Sequence, residues 1–220
     1  MESNKTERSI MQKARDIATY HIVDSTAILA ESTPVFAAFE TGIAGMSDEV
    51  SMNARMFAAG LVYLGMGSAF AKGRDLSRKL FKITDKTKER IQSVHDAAYS
   101  GAFTLAISPL LYAASGARDP KEIAIGTAVA VGFGLVNGSP VGYAVDLFRD
   151  LTGLKDCERP SYPYLLKRQN SKTKRGLAAL LTAGTIALTA GIYAITPDKQ
   201  DNSPLPDNNI QQVIETQNSD

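Results

Sequence analysis

GLAALLTAGTIALTAGIYAIT, Gly176–Thr196, contains no charged residue and has the length of about 20 residues that a helix needs to cross the apolar core of a bilayer. Its flanks differ sharply in charge. Arg149, Lys155, Arg159, Lys167, Arg168, Lys172, Lys174 and Arg175 precede it, and Lys199 alone follows. Working back along the chain, long apolar stretches recur at Ile17–Ala44, Met56–Ala71, Val94–Gly116 and Ile123–Phe148. The links between them alternate. Lys72, Arg74, Arg78, Lys79, Lys82, Lys86, Lys88 and Arg90 fill one link, only Arg118 and Lys121 fall in the next, and the Gly42–Ala54 link has no Lys or Arg. Lys5, Arg8, Lys13 and Arg15 stand before the first stretch. Basic-rich and basic-poor segments thus alternate through every crossing, which predicts an all-α multi-pass membrane protein with a cytoplasmic N-terminus and an outer C-terminus. The expected organisation is a cytoplasmic segment over 1–16, a four-span core over 17–150, a basic cytoplasmic linker over 151–175, a fifth span over 176–196 and a disordered tail over 197–220.

Composition alone would also fit a soluble helical bundle with a C-terminal anchor, since 21% of residues are charged and the mean hydropathy is −0.10. Two features oppose that reading. Charges concentrate in links and tails, and glycines such as Gly60, Gly65, Gly67, Gly126, Gly132 and Gly134 lie inside the apolar runs. In water each would cost about 1 kcal/mol against alanine, whereas in a bilayer each permits close helix contact. No cleavable signal peptide is expected, because the first residues are polar and the first apolar run is long and carries acids. Cys157 is the sole cysteine, so no intrachain disulfide is possible. Neither His21 nor His95 has a ligand-spaced companion, no cofactor motif is present, and the basic links are explained by topology and by anionic lipid without nucleic acid.

The first four stretches read as one hairpin written twice. Asp24 is matched 72 residues later by Asp96, Asp75 is matched 71 residues later by Asp146, and Gly45 by Gly116. Pro34 and Pro109 lie at roughly corresponding depths. Each unit crosses twice, so the repeats would be parallel, with their axis along the membrane normal. The last span stands outside the repeat as an appended element.

Acids within spans are costly, about 2.5–3.5 kcal/mol each on the insertion scale, and usually face a cavity or a partner. Asp24, Glu31 and Glu40 lie in the first span, Asp96 and Asp146 at the ends of the third and fourth, and Arg55 at the entrance of the second. They read either as interfacial anchors or as a route that binds a small zwitterion or carries protons. Pro34, Pro109 and Pro140 are expected to interrupt three spans, freeing the carbonyls of Ala30, Leu105 and Val136. Gly134, Gly138 and Gly142 form two overlapping Gly-xxx-Gly patterns, a flat strip for helix packing or for dimerisation.

These motifs together resemble the bacterial L-alanine exporters. The likeness runs from Asp24 to Asp150. It is carried by Asp24, Glu40, Gly45-Met46-Ser47, Glu49, Ser51, Arg55, Gly73-Arg74-Asp75, Asp96, Ser108-Pro109 and Gly138-x-x-x-Gly142-Tyr143 with Asp146. The resemblance implies a four-span protein of the plasma (inner) membrane that exports L-alanine using the proton gradient, with essential charged residues and an oligomer supported by the glycine strip. The chain departs from that pattern in its fifth span and acidic tail, in Glu31, and in a second span without the expected Pro and Trp. The expectation is therefore export of a small neutral amino acid, with Arg55 holding its carboxylate and Glu40, Asp24 or Asp96 holding its ammonium or the coupled proton. Ala37, Ala38, Gly60 and Gly101 would leave a tight pocket. A scaffold or assembly protein and a small pore are the alternatives.

Overall fold

The structure, a computed structural model, describes residues 2–43, 47–114 and 120–196. Every regular element among them is helical: α1 Glu2–Ala38, α2 Asp48–Leu61, α3 Gly67–Leu80, α4 Glu89–Ala114, α5 Pro120–Thr152, the single turn α6 Tyr164–Lys167, and α7 Ser171–Ile195. Two π-helical turns, Phe39–Ile43 and Val62–Met66, extend α1 and join α2 to α3. Four helical stretches are long and apolar enough to cross a membrane: Ile10–Ile43, Ser51–Leu80, Ile123–Thr152 and Ser171–Ile195. The expected third span, Val94–Gly116, lies largely in helix α4, which is not among these four. Gly45 and Gly116, the glycine marks of the repeat, lie outside the described residues, as does the tail.

The polarity of the molecule is inverted. Ile22, Val35, Leu105, Leu110, Val129, Val136, Leu180, Ile186 and Leu188 point outward, while Asp24, Arg74, Arg78, Asp96, Asp146, Arg149 and Arg159 are buried. The continuous apolar core is small: Val23, Ala27, Ala71, Val145 and Phe148. Water would penalise such a surface, whereas lipid matches it.

Helix ends explain how the chain turns. At the end of α3, Lys82 takes a left-handed φ of 55° while Ile83 N–H reaches back to the Arg78 carbonyl at 2.8 Å. At the end of α5, Gly153 takes φ 79° and Leu154 N–H reaches the Arg149 carbonyl at 2.8 Å. Both are left-handed caps that satisfy carbonyls the helix leaves open. Asn170 starts α7, its side chain accepting the Thr173 N–H at 2.9 Å, an ordinary N-cap.

Two expectations are corrected. Pro34, Pro109 and Pro140 do not interrupt their helices: α1, α4 and α5 run through them. A proline removes one ladder bond, and for Pro34 the freed Ala30 carbonyl accepts the Thr185 hydroxyl of α7 at 2.9 Å. The break falls instead at Gly65, with φ 133° and ψ −17°, a conformation that glycine reaches without steric cost. Helix α7 is likewise more than an appendage. Besides Thr185, its Tyr193 hydroxyl meets Ser51 at 3.0 Å and its Lys174 meets Asp150 at 2.8 Å.

Candidate functional site

Asp75 and Asp146 lie near the ends of α3 and α5, Asp24 in α1 and Asp96 near the start of α4, and all four acids gather at one end of the helices. Two arginines clamp them in the same way. Arg149 donates from Nε and Nη2 to the two oxygens of Asp24, at 2.7 and 2.8 Å, and from Nη1 to Asp75 at 2.7 Å. Arg78 donates from Nε and Nη2 to the two oxygens of Asp96, at 3.0 and 2.5 Å, and from Nη1 to Asp146 at 3.1 Å. The same guanidinium nitrogens thus serve two pairs of acids, Arg149 of α5 reaching α1 and α3, and Arg78 of α3 reaching α4 and α5. Planar forks suit this bidentate grip.

Two further arginines complete the cluster. Arg74 donates to Asp146 and, at 2.8 Å, to the Gly142 carbonyl. Arg159, from the linker after α5, reaches Asp146 and Glu89. Four arginines therefore face Asp24, Asp75, Asp96, Asp146 and Glu89, and every carboxylate has a guanidinium partner, which is what makes their burial tolerable. Outside the spans, burial acts to raise the Glu89 carboxyl, but the bonds from Arg159 and Ser161 outweigh it and hold the group below its ordinary value. Burial pushes the Cys157 thiol up to about 11. Tyr162, bonded to Asp150 at 2.5 Å, is raised by burial and by that carboxylate.

A smaller cluster forms at the other end. Glu40, in the π-helical turn after α1, accepts from Arg55 at 2.5 Å and from the Ser51 hydroxyl at 2.7 Å. The Arg55 guanidinium lies 4.6 Å from the centre of the Phe36 ring, which in turn stacks on Phe133. Between the clusters Glu31 accepts from Asn137 at 3.0 Å.

The break at Gly65 is stitched by α1. With the helix interrupted, the Tyr63 carbonyl meets His21 Nε2 at 2.7 Å and the Val62 carbonyl accepts from Ser25 at 3.2 Å, while His21 Nδ1 bonds Ser68 at 2.7 Å. Beside this break lies a cavity of about 280 Å³, lined among others by Ser32, Phe36, Gly67, Phe70, Ser100, Phe103, Phe133 and Asn137. Phe70 and Ser100 are each four residues, about one helical turn, from Arg74 and Asp96, and Phe36 lies under Arg55. A larger cavity of about 570 Å³ lies between α1, α2 and α7, lined by Thr26, Thr182, Thr185, Thr189 and Tyr193. The smaller cavity has lining residues one turn from both Arg74 and Asp96, which makes it the better candidate for a polar solute. Ala37, Ala38, Gly60 and Gly101, expected to shape a pocket, line neither.

The anticipated residues therefore divide into three places. Asp24, Asp96 and Asp146 belong to one network, Glu40 and Arg55 pair with each other, and Glu31 stands apart with Asn137. Gly134, Gly138 and Gly142 face α4 of the same chain. A Cβ on Gly138 would stand 2.5 Å from the Ser100 Cβ and 2.6 Å from the Asp96 carbonyl oxygen, and one on Gly142 would strike the Asp96 carboxylate. The strip is thus an internal seam, and an intersubunit face does not follow from it. Sequence reasoning counted Arg74, Arg78, Arg149 and Arg159 as loop charges and named none of them as a site residue, although Arg74 stood in the Gly73-Arg74-Asp75 motif. The signal was present: Arg78 and Arg149 are 71 residues apart, the same interval as Asp75 and Asp146. No family model, curated protein or solved structure matches the chain.

Proposed function

We propose that the chain is a proton-coupled exporter of L-alanine or a similar small neutral amino acid in the plasma (inner) membrane. It would cross five times with its N-terminus in the cytoplasm. The observation that carries this reading is a solute-sized cavity beside a broken helix, with a buried cluster of opposite charges one turn away along α3 and α4 and a second at the far end of α1. Broken helices at a midplane site are the usual device of secondary transporters, because exposed backbone polar groups can hold charged solute groups. A zwitterion needs both signs close together, and both clusters offer them.

The core then consists of two parallel hairpins, α1–α3 and α4–α5. Three correspondences support this: the matched clamps of Arg149 and Arg78, the matched left-handed caps at Lys82 and Gly153, and the matched close approaches of Gly67 to Ser25 and Gly138 to Ala97. Lys72, Lys79, Lys82, Lys88, Arg168, Lys172 and Arg175 are exposed or at loop ends and keep the cytoplasmic bias after the four arginines are withdrawn into the network. They would meet anionic lipid there. A homo-oligomer stays within the proposal, by a face other than the glycine strip.

The test is transport by the purified full-length protein in liposomes loaded with labelled L-alanine, with and without a pH gradient. An exporter moves alanine saturably and faster with the gradient. Flux of unrelated ions and solutes without saturation indicates a pore, and no flux indicates a scaffold.

A further inference from the structure

The linker between α5 and α7 delivers a cation into the bundle. Past the cap at Gly153 the chain folds back along the helix ends, fixed by Cys157 N–H to Asp150 at 3.1 Å and by the Tyr162 hydroxyl to the same carboxylate. Between these two anchors Arg159 enters the cluster, its side chain 1% exposed. Nη1 lies 3.1 Å from Asp146 and 3.5 Å from Asp96, the guanidinium carbon lies 5.1 Å from the centre of the Tyr143 ring, and Nη2 lies 2.5 Å from Glu89. Three carboxylates and an aromatic face surround the guanidinium, and the two buried ones, Asp96 and Asp146, form with Tyr143 a seat for an organic cation.

The occupant does not belong to the symmetric part of the network. Asp24 and Asp75 receive no cation from the linker, whereas Asp96 and Asp146 already have Arg78 and Arg74 before Arg159 arrives. Nor is the fit complete. The buried Nε of Arg159 and the buried Nε of Arg74 both lack a hydrogen-bond partner. Arg74 is 1% exposed, and its Nε lies 3.7 Å from Asp96, so a donor capable of binding a carboxylate stands beside carboxylates capable of binding an ammonium.

We infer that the Asp96–Asp146–Tyr143 seat is the cytoplasmic entry site for the zwitterion, a deepening that rests on the exporter reading, and that Arg159 is the resident cation the substrate displaces. The α-ammonium takes the place of the Arg159 guanidinium between the carboxylates, and the α-carboxylate accepts the open Nε–H of Arg74. The linker is then a strap that competes with substrate. Only molecules whose strap is released bind, so apparent affinity is reduced by the fraction released.

Arg159→Gln and Glu89→Gln test this in the full-length protein. Glu89 holds the strap through Arg159 Nη2 and Ser161 N–H but is not part of the seat, so its variant loosens the strap and leaves the carboxylates intact. In liposomes the KM for alanine presented from the cytoplasmic face is expected to fall about tenfold in Arg159→Gln, the size of one lost charge-assisted bond, and less in Glu89→Gln. Arg159→Lys should stay near the parent. In detergent, millimolar ethylammonium should raise the melting temperature of Arg159→Gln and leave the parent unmoved. An unchanged or higher KM in both Gln variants, with the parent transporting normally, overturns the competing strap and leaves the exporter standing. If the parent does not transport, the exporter reading fails, and absence of ethylammonium protection in Arg159→Gln then removes the cation seat as well.

Discussion

At the scale of single residues, the molecule depends on arginines whose partners sit on other helices. Removing Arg149 leaves the buried Asp24 carboxylate without its fork, so Arg149→Met should destabilise the protein by about 3–5 kcal/mol. Asp24→Asn added to it should restore much of that loss, because the uncompensated charge is gone. Thermal melting of the two variants in mild detergent checks the order. Glu89 has a pH signature of its own. Its folded-state value lies below the ordinary 4.5, so its contribution to stability is complete above that ordinary value and is lost as pH falls through the lower folded one. Melting temperature should therefore drop more steeply below pH 4.5 for the parent than for Glu89→Gln. Asp75, which is only partly buried, should tolerate loss better than Asp24.

At the scale of elements, the α4–α5 seam and the Gly65 break make distinct demands. Gly138→Leu should cost about 3 kcal/mol by forcing α5 away from Ser100 and Ala97, whereas Gly132→Leu meets open space and should change little. Heat stability of the purified protein reports this directly, and equal stability of the two variants would dismiss the seam. Gly65 also has nothing near its missing Cβ, so Gly65→Ala isolates backbone strain, about 1–2 kcal/mol. Thr185→Val removes the donor on the carbonyl that Pro34 frees and should cost about 1 kcal/mol.

At the scale of the whole molecule, orientation is the open prediction. Cysteines placed at Ser47 and Ser203 in a Cys157→Ser background should react with an impermeant reagent from outside intact cells, and one at Thr84 should not. Reaction at Thr84 with silence at the other two would invert the topology. The exposed lysines that remain after four arginines turn inward carry the charge asymmetry on which this prediction rests.

The helical class, the apolar stretches and the cost of Asp24, Asp96 and Asp146 were legible in sequence because each depends on local hydropathy and length. The pairing of those acids was not, because it depends on which faces meet. A basic residue at the end of a hydrophobic run looks identical whether it enters solvent or folds onto a carboxylate of another hairpin, and only the close approach across Gly138 and Gly67 distinguishes the two. The same holds for the breaks: proline marks where a ladder bond is missing, but Thr185 reached the Ala30 carbonyl freed at Pro34, and the chain broke at Gly65. Sequence by itself determined that these helices suit a bilayer and carry unusual charge. Tertiary structure alone decided that the charges neutralise one another across hairpins, that α7 belongs to the bundle, and that Arg159 enters it, because buried ions are stable only where packing brings their partners within bonding distance.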